Sequence, residues 1–105
     1  MASLRPLDFR AVALAAAPYI PDFCARWLPD GKRSGNEWIA KNPHRADAHL
    51  GSFSINLRTG AWSDFASGDR GSDIISLAAF LHHAHSDHPQ LEAARGIMAA
   101  LGRTL

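Results

Sequence analysis

A short alternation of apolar and polar residues in the middle of the chain places the strongest constraint on its fold. Phe53, Ile55 and Leu57 are separated by Ser54 and Asn56. This two-residue period is typical of a strand that buries one face and exposes the other. A Thr-Gly pair at 59–60 predicts a turn into a second strand. The segment is therefore expected to be a β-hairpin.

A polar loop flanked by glycines follows the second strand. Gly68 and Gly71 enclose two charged residues, and glycines of this kind let a ligand approach the backbone closely. Ser72 and Asp73 come next, and both residue types are favoured at helix starts. We therefore interpret Gly68, Gly71, Ser72 and Asp73 as a structural loop and helix start.

Helical periodicity is found on both sides of the predicted hairpin. Apolar residues recur at helical spacing in two short N-terminal segments, between 9 and 28, and again in 74–81 and 91–101. Residues 36–41 are predicted to form a first strand that ends at a proline. The predicted fold is α+β: a small three-stranded antiparallel sheet with two N-terminal and two C-terminal helices.

The length and composition indicate one domain. The 105 residues are 47% apolar and 20% charged, which is typical of an ordinary globular domain. We expect residues 1–105 to fold together, with a helical part at 1–30, the sheet at 36–66, and the loop and C-terminal helices at 67–105. The longest apolar run is much shorter than the ~20 residues that a membrane-spanning helix needs.

Four short segments carry a resemblance to a known family. They are Asn-Pro-His-Arg at 42–45, Ser-Phe-Ser-Ile at 52–55, Trp-Ser-Asp-Phe at 62–65 and Gly-Ser-Asp-Ile at 71–74. In order and spacing they resemble the zinc-ribbon domain of bacterial and phage DNA primases. That family has a Cys-Pro-x-His segment, a Ser-Phe-x-Val strand, a Cys-x-x-Cys strand and a Gly-Gly-Asp helix start. The similarity covers residues 37–101.

The metal ligands of that family are missing from this chain. Asn42, Trp62 and Phe65 stand where the family has cysteines, and His44 is the residue that could represent the histidine. Cys24 is the chain's one cysteine, which excludes an internal disulfide and a multi-cysteine zinc site. The resemblance thus implies a zinc-ribbon-like, metal-free domain without a cofactor, in which large aromatic side chains replace the ion.

The resemblance also implies a function and partners. It suggests a cytoplasmic, nucleic-acid-binding accessory module of a primase or primase-helicase system in a phage or mobile element. The expected partners are single-stranded template DNA, with RNA as an open alternative, and a separate primase, polymerase or helicase protein. No membrane partner is expected.

Aromatic and basic residues around the sheet are the candidate contacts with nucleic acid. Trp38, Phe53 and Trp62 on neighbouring strands could stack on unpaired bases, although a core position is the favoured interpretation for Phe53 and Phe65. Between positions 26 and 58 the sequence contains six basic and three acidic residues, an excess of positive charge, although the net charge of the chain is only +1. The predicted nucleic-acid-binding residues are Trp38, Lys41, Arg45, Arg58, Trp62 and Arg70.

Two other classes of function compete with this hypothesis. A protein-interaction module could dock on a polymerase, a helicase or a host factor without binding DNA. A metal-dependent hydrolase could use His82, His85 and His88, which are three apart, but no His-Glu-x-x-His frame is present. No paired carboxylates or activated nucleophile are recognisable, so we expect the chain not to be an enzyme and to hold no metal.

Overall fold

A computed structural model of the chain describes residues 8–45 and 51–102. Two helices open the described chain, α1 (Phe9–Ala16) and α2 (Ile20–Trp27), joined by a 3-10 turn, Ala17–Tyr19. The strands are β1 (Lys32–Ser34), β2 (Glu37–Ala40), β3 (Phe53–Asn56), β4 (Trp62–Asp64) and β5 (Arg70–Gly71). The last helices are α3 (Ile74–His82) and α4 (Pro89–Ala100).

The five strands of the described residues form one antiparallel sheet in chain order, β1-β2-β3-β4-β5. The predicted α+β class with an antiparallel sheet is confirmed, but the prediction of three strands is wrong. β1 pairs with β2 across a two-residue turn, and β5 forms within the segment predicted to be a loop. Both added strands are short and lie at the edges of the sheet.

One face of the sheet packs on the helices. Phe53 and Ile55 have no exposed surface, and Trp62 is nearly buried. The ring of Trp62 lies 4.7 Å, centroid to centroid, from the ring of Phe80 in α3. Leu77 of α3 belongs to the same buried cluster. This side is called the core face, and the opposite side, which carries Ser54 and Ser63, is called the open face.

The N-terminal helices add to the same core. Asp8 caps α1 by accepting a hydrogen bond from the Ala11 N–H at 3.1 Å. Ile20 and Phe23 of α2 are buried with the apolar residues of α1 and α4. In the described part of the chain, no helix is long and apolar enough to cross a membrane.

Candidate nucleic-acid interface

Trp62 lies in the core and is not available to stack on a base. Its indole N–H donates a hydrogen bond of 2.9 Å to the Ser76 hydroxyl oxygen, and its ring contacts Phe53 and Phe80. Gly71 allows this arrangement, because a β-carbon there would collide with the indole and with the Ser76 hydroxyl. The close approach at Gly71 therefore serves the protein's own core.

Trp38 is also on the core face, where it is half-buried. It pairs with Ile55 across β2 and β3, and its indole N–H donates to the Leu28 carbonyl at 3.1 Å. Phe53, the third member of the predicted stacking surface, is fully buried. The structure thus places Trp38, Phe53 and Trp62 together, but as core residues on the side that faces the helices.

The open face carries a row of residues that runs across all five strands. The strand register pairs Lys32 with Ile39, Ile39 with Ser54, Ser54 with Ser63, and Ser63 with Arg70. Four strand spacings separate the ends of this cross-strand row, a distance of about 19 Å. The row therefore has a cation at each end, with Ile39, Ser54 and Ser63 between them.

Phe65 adds an aromatic ring beside this row. Its side chain is 81% exposed, although the sequence predicted a core position for it. It lies in the turn after β4, and its N–H donates to the Ser52 carbonyl at 3.0 Å. Phe65, Ser63 and Arg70 line one open depression. Phe65 is more exposed than Phe9, Leu14 and Tyr19, the other exposed large apolar residues of the described chain.

The four predicted cations do not form one group. Arg70 is exposed beside Phe65, whereas Arg58 is exposed in the turn between β3 and β4. Lys41 follows β2 and lines a separate depression near the end of α2. Arg45 forms an ion pair with Asp64. Of these four, Arg70 is the one that the structure places beside an exposed aromatic ring.

A buried polar network joins the segment after β2 to β4. The carboxylate of Asp64 accepts hydrogen bonds from the Asn42 side-chain amide at 2.9 Å and from Arg45 Nη1 at 2.9 and 3.2 Å. It also accepts the Ala66 N–H at 2.9 Å. Asn42 and Asp64 are each 1% exposed. We call this set of contacts the Asp64 network.

The contacts of Asp64 decide its charge. Burial alone raises the pKa of a carboxyl group, but the hydrogen bonds from Asn42 and Ala66 and the guanidinium of Arg45 outweigh it. The pKa of Asp64 is therefore held well below its ordinary value, and the group is ionised at neutral pH. A buried carboxylate is tolerated here because its oxygens are paired.

His44 links the same segment to α3. Its backbone N–H donates to the Asn42 side-chain oxygen at 2.9 Å, and its ring Nε2 lies 2.6 Å from the Phe80 carbonyl oxygen, as a donor. Its ring also packs edge-on against Phe80. The network therefore connects the sheet with the end of α3.

This donor set does not fit the zinc ion of the primase family. A guanidinium cannot ligate a metal, and the Asn42 amide nitrogen is used as a donor to Asp64. The side chains of Trp62 and Phe65 have no atom that ligates zinc. The expectation that both aromatic residues replace the ion is half wrong: Trp62 supplies burial and Phe65 does not. Hydrogen bonds to Asp64 hold this region together.

Sequence reasoning missed Asn42 and Asp64 as structural residues. One signal was present in the sequence: Asp64 is two residues from Trp62, so the two share a face of β4. A charged residue on a buried face requires partners. Asn42 and Arg45 could not be assigned as those partners, because the pairing depends on the path of the segment between β2 and β3.

The glycine loop ends in a helix cap. Asp73 is the N-cap of α3, because its carboxylate accepts the Ser76 N–H at 2.8 Å. In return, the Asp73 N–H donates to the hydroxyl oxygen of Ser76. Ser72, which the sequence suggested as a capping residue, is exposed and makes no such contact. Gly68 adopts a positive φ of 84°, which the turn after β4 requires.

The histidines at the end of α3 do not form a metal site. Within residues 8–45 and 51–102, no three His, Cys, Asp or Glu side chains are arranged to hold an ion. His83 instead lies 3.3 Å from a carboxylate oxygen of Glu92 in α4. Burial, together with the neighbouring His83 and His44, lowers the pKa of His82 below its ordinary value. The contact between His83 and Glu92 connects the end of α3 with the first turn of α4.

Comparison with known proteins adds no assignment. No protein-family model matches the chain, and no curated protein matches it either. A functional assignment therefore has to come from the geometry of the site. The central features of the site are the exposed pair Phe65 and Arg70 and the Asp64 network, which holds the turn between them.

Proposed function

We propose that this chain is a non-catalytic module that binds single-stranded DNA in a primase-type replication system. The observation that carries the proposal is the position of Phe65, an exposed aromatic ring, beside Arg70 on the open face of the sheet. Proteins that bind single strands combine aromatic rings that stack on bases with cations that contact the phosphate backbone. The order of the primase-like sequence motifs supports the choice of system.

The open face suits a flexible single strand. A base stacks on Phe65, and the adjoining phosphate contacts the guanidinium of Arg70. From there the strand follows the cross-strand row, where Ser63 and Ser54 offer hydroxyl groups and Lys32 offers a second cation. The small side chains of Ser63 and Ser54 let the DNA backbone approach the sheet there, and Ile39 lies between them and Lys32.

The Asp64 network prepares this surface. The Asp64 carboxylate accepts the Ala66 N–H, and the Asp64 carbonyl accepts the Gly68 N–H at 2.9 Å. These two bonds fix the turn that presents Phe65. In a zinc ribbon an ion fixes the corresponding region, so the network takes over the structural task of the metal while Phe65 becomes a ligand-binding residue.

The wider role follows from the resemblance. The module delivers a template strand to a separate primase, polymerase or helicase protein in the cytoplasm of a cell that carries the phage or mobile element. RNA offers the same phosphates and stackable bases, so a ribose oligonucleotide is the appropriate competitor in binding experiments.

The test is the affinity for a fluorescent twelve-nucleotide oligo-dT, measured by anisotropy at several salt concentrations. We expect Phe65→Ala to weaken binding by about 5- to 150-fold at constant salt, the equivalent of ~1–3 kcal/mol for one stacked base. Arg70→Ala should weaken binding and reduce the slope of log affinity against log salt by about 0.7, since one phosphate contact is lost.

Two variants on the helices serve as matched controls. Leu14→Ala removes an apolar side chain of α1 that is 66% exposed, and Arg95→Ala removes an exposed cation of α4. Both should bind like the unchanged protein. Equal losses in the control variants, or no binding by the unchanged protein at low salt, would rule out the open face as a DNA site.

A further inference from the structure

The strand β1 leaves one edge of the sheet open. It lies at the end of the strand order and pairs with β2 alone among the described strands. All three of its residues, Lys32–Ser34, are exposed. An open edge of this kind offers backbone groups to which a further strand can pair.

The hairpin geometry identifies the backbone groups that are offered. Gly35 has a positive φ of 60° and begins the two-residue turn between Ser34 and Glu37. The pair that flanks such a turn is hydrogen-bonded, and bonded pairs alternate along an antiparallel ladder. The N–H and C=O groups of Arg33 therefore point away from β2, toward the open edge.

The side chains of this edge select the partner. Lys32 lies on the open face and Arg33 on the core-face side, beyond Trp38. If two copies paired antiparallel through β1, a cation of one would face the same cation of the other, either Arg33 to Arg33 or Lys32 to Lys32. Like charges directly opposite each other destabilise a pair of strands, whereas opposite charges stabilise it.

We propose that the β1 edge binds an extended acidic segment of a partner protein, which joins the sheet as a sixth strand. Two consecutive acidic residues of that segment face Lys32 and Arg33. Asp30 precedes β1 and Glu37 follows its turn. Because these carboxylates would repel an acidic segment, its favourable contacts are limited to Lys32 and Arg33. The site shares Lys32 with the proposed path of the DNA but lies at the opposite end of the row from Phe65 and Arg70.

The test uses NMR titration of the full-length labelled protein with a blocked hexapeptide, Thr-Val-Glu-Glu-Val-Thr. We expect the largest shift among the amide signals of β1 to be that of Arg33. The same peptide with Lys-Lys at its centre should bind at least about tenfold more weakly. Arg33→Glu should weaken binding of the acidic peptide about tenfold and improve binding of the basic one.

Two further variants separate backbone pairing from charge. Arg33→Pro removes the outward N–H without removing a bond to β2, so it should abolish binding in a protein whose other signals are unchanged. Arg33→Ala keeps the N–H and should cost only about threefold. The control variant Arg95→Glu, on α4, should have no effect.

Three results would overturn the proposal: affinity that is unchanged in Arg33→Glu, shifts centred on Phe65 rather than on β1, or a dimer in sedimentation experiments that dissociates in Arg33→Glu. Oligo-dT that shifts β1 and spares Phe65 would also count against it, since the edge would then bind nucleic acid. Phe65→Ala should leave peptide binding intact, which distinguishes this proposal from the one for DNA.

Discussion

Asp64 shows how one buried charge organises the surface around it. Its carboxylate joins Asn42 and Arg45, from the segment after β2, to the turn that starts at Phe65. Arg45 cannot be exchanged with a neutral residue at low cost, because an unpaired carboxylate would then remain buried. Stability and the position of Phe65 therefore depend on the same group.

At this scale we predict that Asp64→Asn lowers the free energy of unfolding by about 2 kcal/mol at pH 7, as measured by urea denaturation. The pKa of Asp64 is depressed in the folded protein, so its contribution is present above the unfolded pKa, about 3.9, and is lost as the pH falls below that value. The variant should thus lose less stability than the unchanged protein between pH 5 and pH 2, about the range of this titration.

Asp69→Asn is the matched control, because Asp69 is exposed in the same turn and bonds to Ser67. Its unfolding free energy should stay within about 0.5 kcal/mol of the original. If both variants had the same stability at pH 7, the Asp64 network would not be what stabilises this turn.

Single residues also show what sequence reasoning could reach. The alternation around Phe53 and Ile55 identified their buried face correctly, because a strand has a fixed period of two. The core position expected for Phe65 was wrong, because it relied on the general preference of aromatic residues for the core, and Phe65 lies in an exposed turn. The side of the sheet that stays exposed could not be deduced without knowing which side the helices cover.

At the scale of elements, the helices and strands that could be predicted are those with a strong apolar periodicity. The predicted segments for α3 and α4 agree with the structure, because each repeats its apolar residues over several turns. β1 and β5 have three and two residues, too few for any alternation. Their pairing is a property of the sheet, which supplies the neighbouring strand.

The start of α3 provides a prediction for an element. Asp73→Ala removes the carboxylate that accepts the Ser76 N–H and should destabilise the protein by about 1 kcal/mol in thermal or urea unfolding. Ser72→Ala is the control and should change stability by less than about 0.5 kcal/mol, since Ser72 makes no capping contact. Equal effects of the two changes would contradict the assignment of the cap to Asp73.

The whole molecule is expected to be stable without a metal. Its core joins α1, α2, α3, α4 and the sheet in one cluster of buried apolar residues. A chelator such as EDTA should therefore leave the melting temperature unchanged within about 1 °C, whereas zinc-dependent domains unfold when the ion is removed. A fall of several degrees, reversed by added zinc, would contradict the metal-free interpretation.

The chain-order arrangement of the strands affects how the molecule assembles. Every strand pairs with its neighbour in sequence, so each pairing closes a short loop and loses little chain entropy. Topologies with such local pairings form quickly compared with sheets that join distant segments. During synthesis, β1 through β5 leave the ribosome in the order in which they pair. The strands of the sheet can therefore pair before α3 and α4 emerge to cover it.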